Sequence, residues 1–308
     1  MPKKSRRQRI AKAASLAALR LGRYRGDGAP PIFVIGSGRS GNTLVRRVLT
    51  ASGEIYIPPE TYVLGEIIEI WPRTALLPWR EQVWLFCAYF EKHSEFSTFG
   101  LTNLDDFAAR AVALPAAERT LRQLIDAFYL HLAKAQDAPT GRWGDKTPYN
   151  THHLPAIGTL YPEAKYLWLV RDGRDVALSY VEAGLYPDLL GAADRWTRAN
   201  RACLSFARRG LDVRQQGYEN LVTDPETAFA DLFQWAGLEF APDMLTILPG
   251  PMGDVEQRRH HEKVRRPISA ASAGRWRGQL KPADLSTLPD DFWQVMHALG
   301  YATEGAQT

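Results

Sequence analysis

Two continuous apolar runs mark the chain most clearly: "PIFVI" at 31–35 and "KYLWLV" at 165–170. Each is too short for a helix and has no polar face, the pattern of a strand buried on both sides. After the first comes a glycine-rich turn and then "NTLVRRVLTASG", where apolar residues recur at helical spacing and Gly53 provides a stop. A short apolar stretch, "EIYI", ends at Pro58-Pro59, and we expect it to run as a strand beside the first. From about 61 to 137 the spacing is helical throughout, with Thr61 opening the first helix. The second strand ends at "RDGRD" and leads into a helix, "VALSYVEAG". A weaker strand, "LDVRQQGY" (211–218), precedes the helix "DPETAFADLFQWAG", with Asp224 as its cap and Pro225 in its first turn. Strands alternating with helices predict an α/β fold, a parallel sheet flanked by helices with a helical insertion after the first strand–helix unit.

Composition adds two constraints. The longest uninterrupted apolar run, "VWLFCAYF" from Val83 to Phe90, is too short to cross a bilayer. The net charge of +4 belongs to one end: residues 1–26 hold nine of the 38 Lys and Arg and no acid, leaving 29 basic against 34 acidic residues elsewhere. This divides the chain into a basic tail, 1–26, and one domain, 27–308. The tail reads as a solubilising arm, a helix resting on an anionic membrane surface, or a nucleic-acid arm, and nucleic acid is the least expected of these partners. Cys87 and Cys203 sit in apolar contexts without metal spacing, which fits buried thiols in a reducing, cytoplasmic setting.

The chemistry starts at "GSGRSGNT", Gly36 to Thr43. A strand, a glycine turn and a helix N-terminus gather backbone N–H groups around one point and make an anion site. Asn42 stands where a nucleotide-triphosphate loop carries its Lys. Arg39 supplies a cation from inside the loop instead, which disfavours a kinase and suits a shorter anion. A second anion site is suggested by "LVRDGRDVALSY", where Arg171 at a strand end and Ser179 on the following helix could meet one phosphate. Two phosphate sites point to a nucleotide phosphorylated in two places. A kinase with a degenerate lysine and a non-catalytic nucleotide-binding module remain as alternatives.

With these two motifs in this order, the chain resembles the sulfotransferases that use 3′-phosphoadenosine 5′-phosphosulfate, most closely the tyrosylprotein-sulfotransferase-like and bacterial branch. The resemblance runs from about Pro31 to Leu280 and implies a P-loop nucleotide-type sheet. It implies that Gly38, Arg39, Ser40, Gly41, Asn42 and Thr43 hold the 5′-phosphosulfate, and that Arg171 and Ser179 hold the 3′-phosphate. Gly38 replaces the family's Pro, which should loosen the turn, and Asn42 replaces a Thr, which should remove one hydroxyl contact. A family glutamate 21 residues beyond the loop arginine acts as base, and counting from Arg39 gives Glu60. Lys146, in the loop-like "RWGDKTPYN", falls on a lysine that stabilises the transition state; a surface pair with Asp145 is the plainer reading. Tyr218 matches a tyrosine that contacts the nucleotide, and Arg275, just before Trp276, matches a basic residue that reaches the 3′-phosphate. The implied activity is metal-free sulfuryl transfer to a hydroxyl or phenol, whether peptide tyrosine, sugar or small molecule. His152 and His153, read as solvent-facing, are reserve candidates for the base. The aromatics of the insertion, Trp71, Trp79, Trp84 and Phe96, read as core.

Overall fold

Alternate residues of the first apolar run face opposite sides of a sheet, and each side meets its own helical layer. The computed structural model describes residues 29–139, 141–247 and 267–302. In it β1 is Ile32–Gly36, followed by α1, Asn42–Ala51. The insertion then supplies α2 (Leu64–Ile70), α3 (Trp79–Glu91), α4 (Asp105–Val112) and α5 (Leu121–Ala135). Next come β2 (Gly144–Lys146), α6 (Leu154–Leu160), β3 (Lys165–Val170), α7 (Gly173–Glu182) and α8 (Leu189–Ala207). The chain continues with β4 (Val213–Gly217), α9 (Tyr218–Thr223) and α10 (Pro225–Ala236), and ends with α11 (Trp276–Gln279), α12 (Pro282–Leu285) and α13 (Asp290–Ala298). The basic tail and the basic run before Pro267 lie outside the described residues.

The four strands are parallel, in the order β2-β1-β3-β4. Ile32 lies beside both Gly144 and Lys165, so β1 is central. Phe33 and Ile35 pack with the insertion helices, while Ile32 and Val34 pack with Val45, Val48 and Leu49 of α1 and Phe229 and Phe233 of α10. Both faces are buried, which is why the sequence shows no alternation there. Phe86, Phe90, Phe107 and Phe128 knit the insertion to itself, with the Phe90 and Phe128 rings 4.2 Å apart. Trp71, Trp79 and Phe96 are core residues, whereas Trp84 is 51% exposed beneath the Arg80 guanidinium. Both cysteines are buried and free.

Three expectations need correction. The "EIYI" segment does not flank β1; Tyr56 bridges to Trp143 and so runs along the outer edge of β2. β2 occupies a segment expected as a loop, since "GDK" is three polar or small residues. Buried on all positions, it is held by backbone pairing to Ile32–Val34 rather than by apolar side chains. Finally, α2 begins at Leu64, not Thr61, because Tyr62 adopts a left-handed conformation (φ 46°) that no α-helix accommodates.

Candidate active site

The glycine-rich loop leaves β1 at Gly36 and enters α1 at Asn42. Thr151 ties down its start, accepting from the Gly36 N–H at 2.9 Å and donating to its carbonyl at 3.0 Å. Gly41, the residue before α1, has φ 92°, and a Cβ there would stand 2.6 Å from the Tyr218 ring. Only glycine allows both the turn and that approach. Arg39 also holds a positive φ, 64°, and strain of this kind gathers at functional sites. Asn42 donates to the Ser37 carbonyl at 2.9 Å and so closes the loop internally. A Cβ at Gly38 would stand 2.5 Å from the Tyr180 hydroxyl, so glycine here admits a tyrosine against the loop rather than loosening the turn.

The second motif comes to the first. The Arg39 Nε donates to the Ser179 Oγ at 3.1 Å, and an Arg171 Nη1 donates to the Arg39 carbonyl at 3.0 Å. Arg171 also lies over the Tyr218 ring, 4.5 Å from its centre, and donates to the Ser272 carbonyl. Asp172 caps α7 and binds the Arg174 guanidinium. Burial lowers the Arg39 pKa from the usual guanidinium value; Tyr180 opposes that shift and Arg171 adds to it. Among the described residues, the buried Nε atoms of Arg171 and Arg275 have no hydrogen-bond partner, nor has the buried Ser40 hydroxyl. Unsatisfied N–H donors on side chains that line a cleft are what an anionic ligand would use.

That cleft has a volume of about 630 Å³. Gly38, Arg39, Gly41, Asn42 and Thr43 line it from the loop, and Arg171, Ser179, Tyr218 and Arg275 from the other strand ends and the C-terminal segment. Glu60 joins them from the Pro58-Pro59 turn. Ser40 lies buried within the loop, and Lys146 stands behind Glu60 instead of on the wall.

Lys146 is neither in a loop nor paired with Asp145. Neighbours on a strand point to opposite faces, and β2 sends the two charges apart. The Lys146 ammonium, with no exposed side-chain surface, meets the Glu60 carboxylate at 2.6 Å. Asp145 instead accepts from Thr61 Oγ1 at 2.8 Å, Tyr129 at 2.6 Å and Asn150 at 2.8 Å. The Thr61 N–H donates in turn to Thr147 at 2.9 Å. This buried network fixes the turn that carries Glu60. Sequence reasoning missed it, because Tyr129 lies in the middle of an ordinary amphipathic helix. Burial raises the pKa of both Asp145 and Tyr129.

Further along the wall stand four tyrosines, Tyr62, Tyr149, Tyr180 and Tyr186, with Leu185 and two more cations, Arg47 and Arg195. Arg195 bonds to the His152 ring, whose pKa is pushed down to about 4 by burial and then by Arg195. His153 is half-buried, packed on Gly65 and 3.0 Å from Glu69. Neither histidine is among the side chains lining the cleft. Among the described residues no helix is long and apolar enough to cross a membrane.

Comparison with known proteins bears on this arrangement directly. Residues 30–242 match the sulfotransferase family. Protein-tyrosine sulfotransferase 1 of Danio rerio is 26% identical over 292 residues, spanning 88% of this chain and 72% of its own. The Homo sapiens protein of the same name is 25% identical over 277 residues, spanning 84% and 66%. Among solved structures, the sulfotransferase domain from the Synechococcus PCC 7002 olefin synthase superposes with a TM-score of 0.61 at 24% identity, covering 91% of this chain and 99% of its own. The sulfotransferase domain from the curacin biosynthetic pathway gives 0.60 at 21%, covering 90% and 99%. At those identities the structural likeness is one of fold.

Proposed function

This chain belongs to the sulfotransferase family, and from that premise we propose that it moves a sulfuryl group from 3′-phosphoadenosine 5′-phosphosulfate to a hydroxyl or phenol. The reading rests on one observation above all. Two anion-binding motifs distant in sequence, the Arg39 loop and the Arg171–Ser179 turn, are bonded to each other across a single cleft. Cations supplied by two separate motifs around one cleft suit a nucleotide with phosphates on both its 5′ and 3′ oxygens. An ATP site would want an ammonium at position 42, where Asn42 is committed to the Ser37 carbonyl.

In this reading the donor, as substrate, supplies the sulfuryl group and a phosphate leaving oxygen. Backbone N–H groups from Gly38 to Thr43 and the α1 N-terminus hold the 5′ end. Arg171, Ser179 and Arg275 hold the 3′-phosphate, with Tyr218 packed against Arg171 and Gly41. Glu60 takes the acceptor proton while the acceptor oxygen bonds to sulfur and the sulfur–phosphate oxygen bond breaks. Arg39 offsets the charge left on that phosphate oxygen. Lys146 holds the Glu60 carboxylate in place and adds positive charge behind it. Removing one such donor commonly costs ~10²–10³ in rate.

The tyrosine-lined wall and the protein-tyrosine sulfotransferase relatives support a phenol as acceptor, in a peptide or a small molecule. Thermal unfolding tests the donor assignment. Protection by 3′,5′-adenosine bisphosphate, and none by ATP with Mg²⁺, is the expected result. Protection by ATP–Mg²⁺ alone would replace the reading with a kinase, and protection by neither with a non-catalytic module.

A further inference from the structure

The 3′-phosphate residues come from two parts of the chain, and only one of them is anchored by the sheet. Arg171 leaves the end of β3. Arg275 and Ser272 belong to a C-terminal segment, 267–277, which forms a wall of the cleft without pairing to any strand. A 3₁₀ turn at Ala270–Ser272 and the four-residue α11 are its regular structure. Its attachment to the rest of the protein therefore depends on particular side chains.

Asp175 is the most heavily used of these. Its carboxylate, with no exposed surface, accepts the Gly274 N–H on one oxygen at 2.6 Å and the Trp276 N–H on the other at 2.9 Å. Those two amides bracket Arg275. Four residues earlier in the chain, before the helix begins, is Arg171, whose Nη2 lies 3.8 Å from Asp175 and also donates to the Ser272 carbonyl. Arg174 completes the clasp with its guanidinium over the Trp276 ring, 3.6 Å from the centre. The Arg275 side chain is held more weakly, by Glu182, a carboxylate 43% exposed to solvent. A phosphate can therefore take Arg275 from Glu182 while the backbone on either side stays fixed.

We propose that Asp175 is the positioning residue that gives the cleft its selectivity for a 3′-phosphorylated nucleotide, by clamping Gly274 and Trp276 so that Arg275 stands opposite Arg171. It touches no substrate. The inference rests on the assignment of a 3′-phosphate to this end of the cleft, and goes beyond it in saying what builds that end.

Calorimetric titration with 3′,5′-adenosine bisphosphate and with 5′-AMP tests it on the wild-type chain, Asp175→Asn, Arg275→Gln and the double variant. The amide of Asn turns a donor toward one of the two backbone N–H groups. We expect bisphosphate affinity to fall by ~10-fold or more and AMP affinity to change by less than about twofold. The double variant should bind no worse than the weaker single one, because both changes act through one segment. Undiminished bisphosphate affinity in Asp175→Asn, or equal loss of both nucleotides, would overturn the proposal. A wild-type protein indifferent to the 3′-phosphate would overturn the donor assignment itself. Hydrogen exchange on the wild-type chain needs no variant to fold. The Gly274 and Trp276 amides should be protected although they stand at a turn and a helix start, and exchange at free-loop rates would refute the clamp.

Discussion

The loop after β1 and the turn after β3 lie side by side at the C-terminal edge of the sheet, yet they are built on opposite plans. The first is a backbone device. It contains no carboxylate, holds Gly36, Arg39 and Gly41 at positive φ, and is fastened by Thr151 and by its own Asn42. The second is a side-chain device, in which Asp172 and Asp175 set the directions of Arg171, Arg174 and the segment carrying Arg275. Apart from Arg39 the backbone site has no charge that can be deleted, but it fails when a Cβ intrudes at Gly38 or Gly41. A side-chain site loses affinity in steps, one cation at a time.

The largest expected effect comes from breaking the backbone device. Gly41→Val adds a β-branched side chain at φ 92° and against the Tyr218 ring, and turnover should fall on the order of 10³-fold along with binding of the desulfated nucleotide. Intact binding of 3′,5′-adenosine bisphosphate in that variant would show the loop to be no phosphate cradle. Glu60→Gln should separate chemistry from binding altogether, lowering turnover by ~10²-fold with nucleotide affinity unchanged. The deficit should shrink for acidic phenols, which release their proton more readily. Near-normal turnover would move the base elsewhere. On the side-chain device, Arg171→Ala should weaken bisphosphate binding by ~1.5–3 kcal/mol and Ser179→Ala by about 1 kcal/mol. Unchanged affinity in both would remove the 3′-phosphate from this turn.

The smallest effect is one of pH and concerns neither device. His152 has a folded pKa of about 4, against an ordinary 6.5, so the unfolded chain binds the extra proton. Its contribution to stability is complete above pH 6.5 and is lost as the pH falls toward 4. In urea titrations across that window, His152→Gln should lose less stability on acidification than the wild-type chain does. Bisphosphate affinity compared between the two proteins at each pH should not differ.

Much of the sheet is legible in the sequence because its elements carry strong local signals. β1 and β3 are apolar on both faces, and the Asp224 cap with Pro225 opens α10 as read, the Asp224 carboxylate accepting from Thr227. Both motifs were visible as glycine and arginine at strand ends. What escaped was decided by distant contacts. β2 is three residues with a buried aspartate and lysine, a strand only because β1 lies beside it. The helix α8 buries Trp196, Cys203 and Phe206 among Ala192, Ala193, Thr197, Ala199 and Asn200, so small and polar residues interrupt its apolar stripe. The partner of Lys146 is a similar case: adjacency in sequence offers Asp145 as the plain alternative to a catalytic role, whereas strand geometry gives it Glu60.

The strand order has a kinetic consequence. β1 is completed by neighbours from far along the chain, Ile32 meeting Gly144 on one side and Lys165 on the other. Local contacts cannot hold it, and both long loops must close before either pairing repays the entropy of closure. The insertion helices are rich in local contacts and can form early. The glycine-rich loop after β1 takes its shape from that strand, from Thr151 beyond β2 and from Tyr180 beyond β3. Ligand binding should therefore appear among the last events of folding, after helical signal has largely been regained.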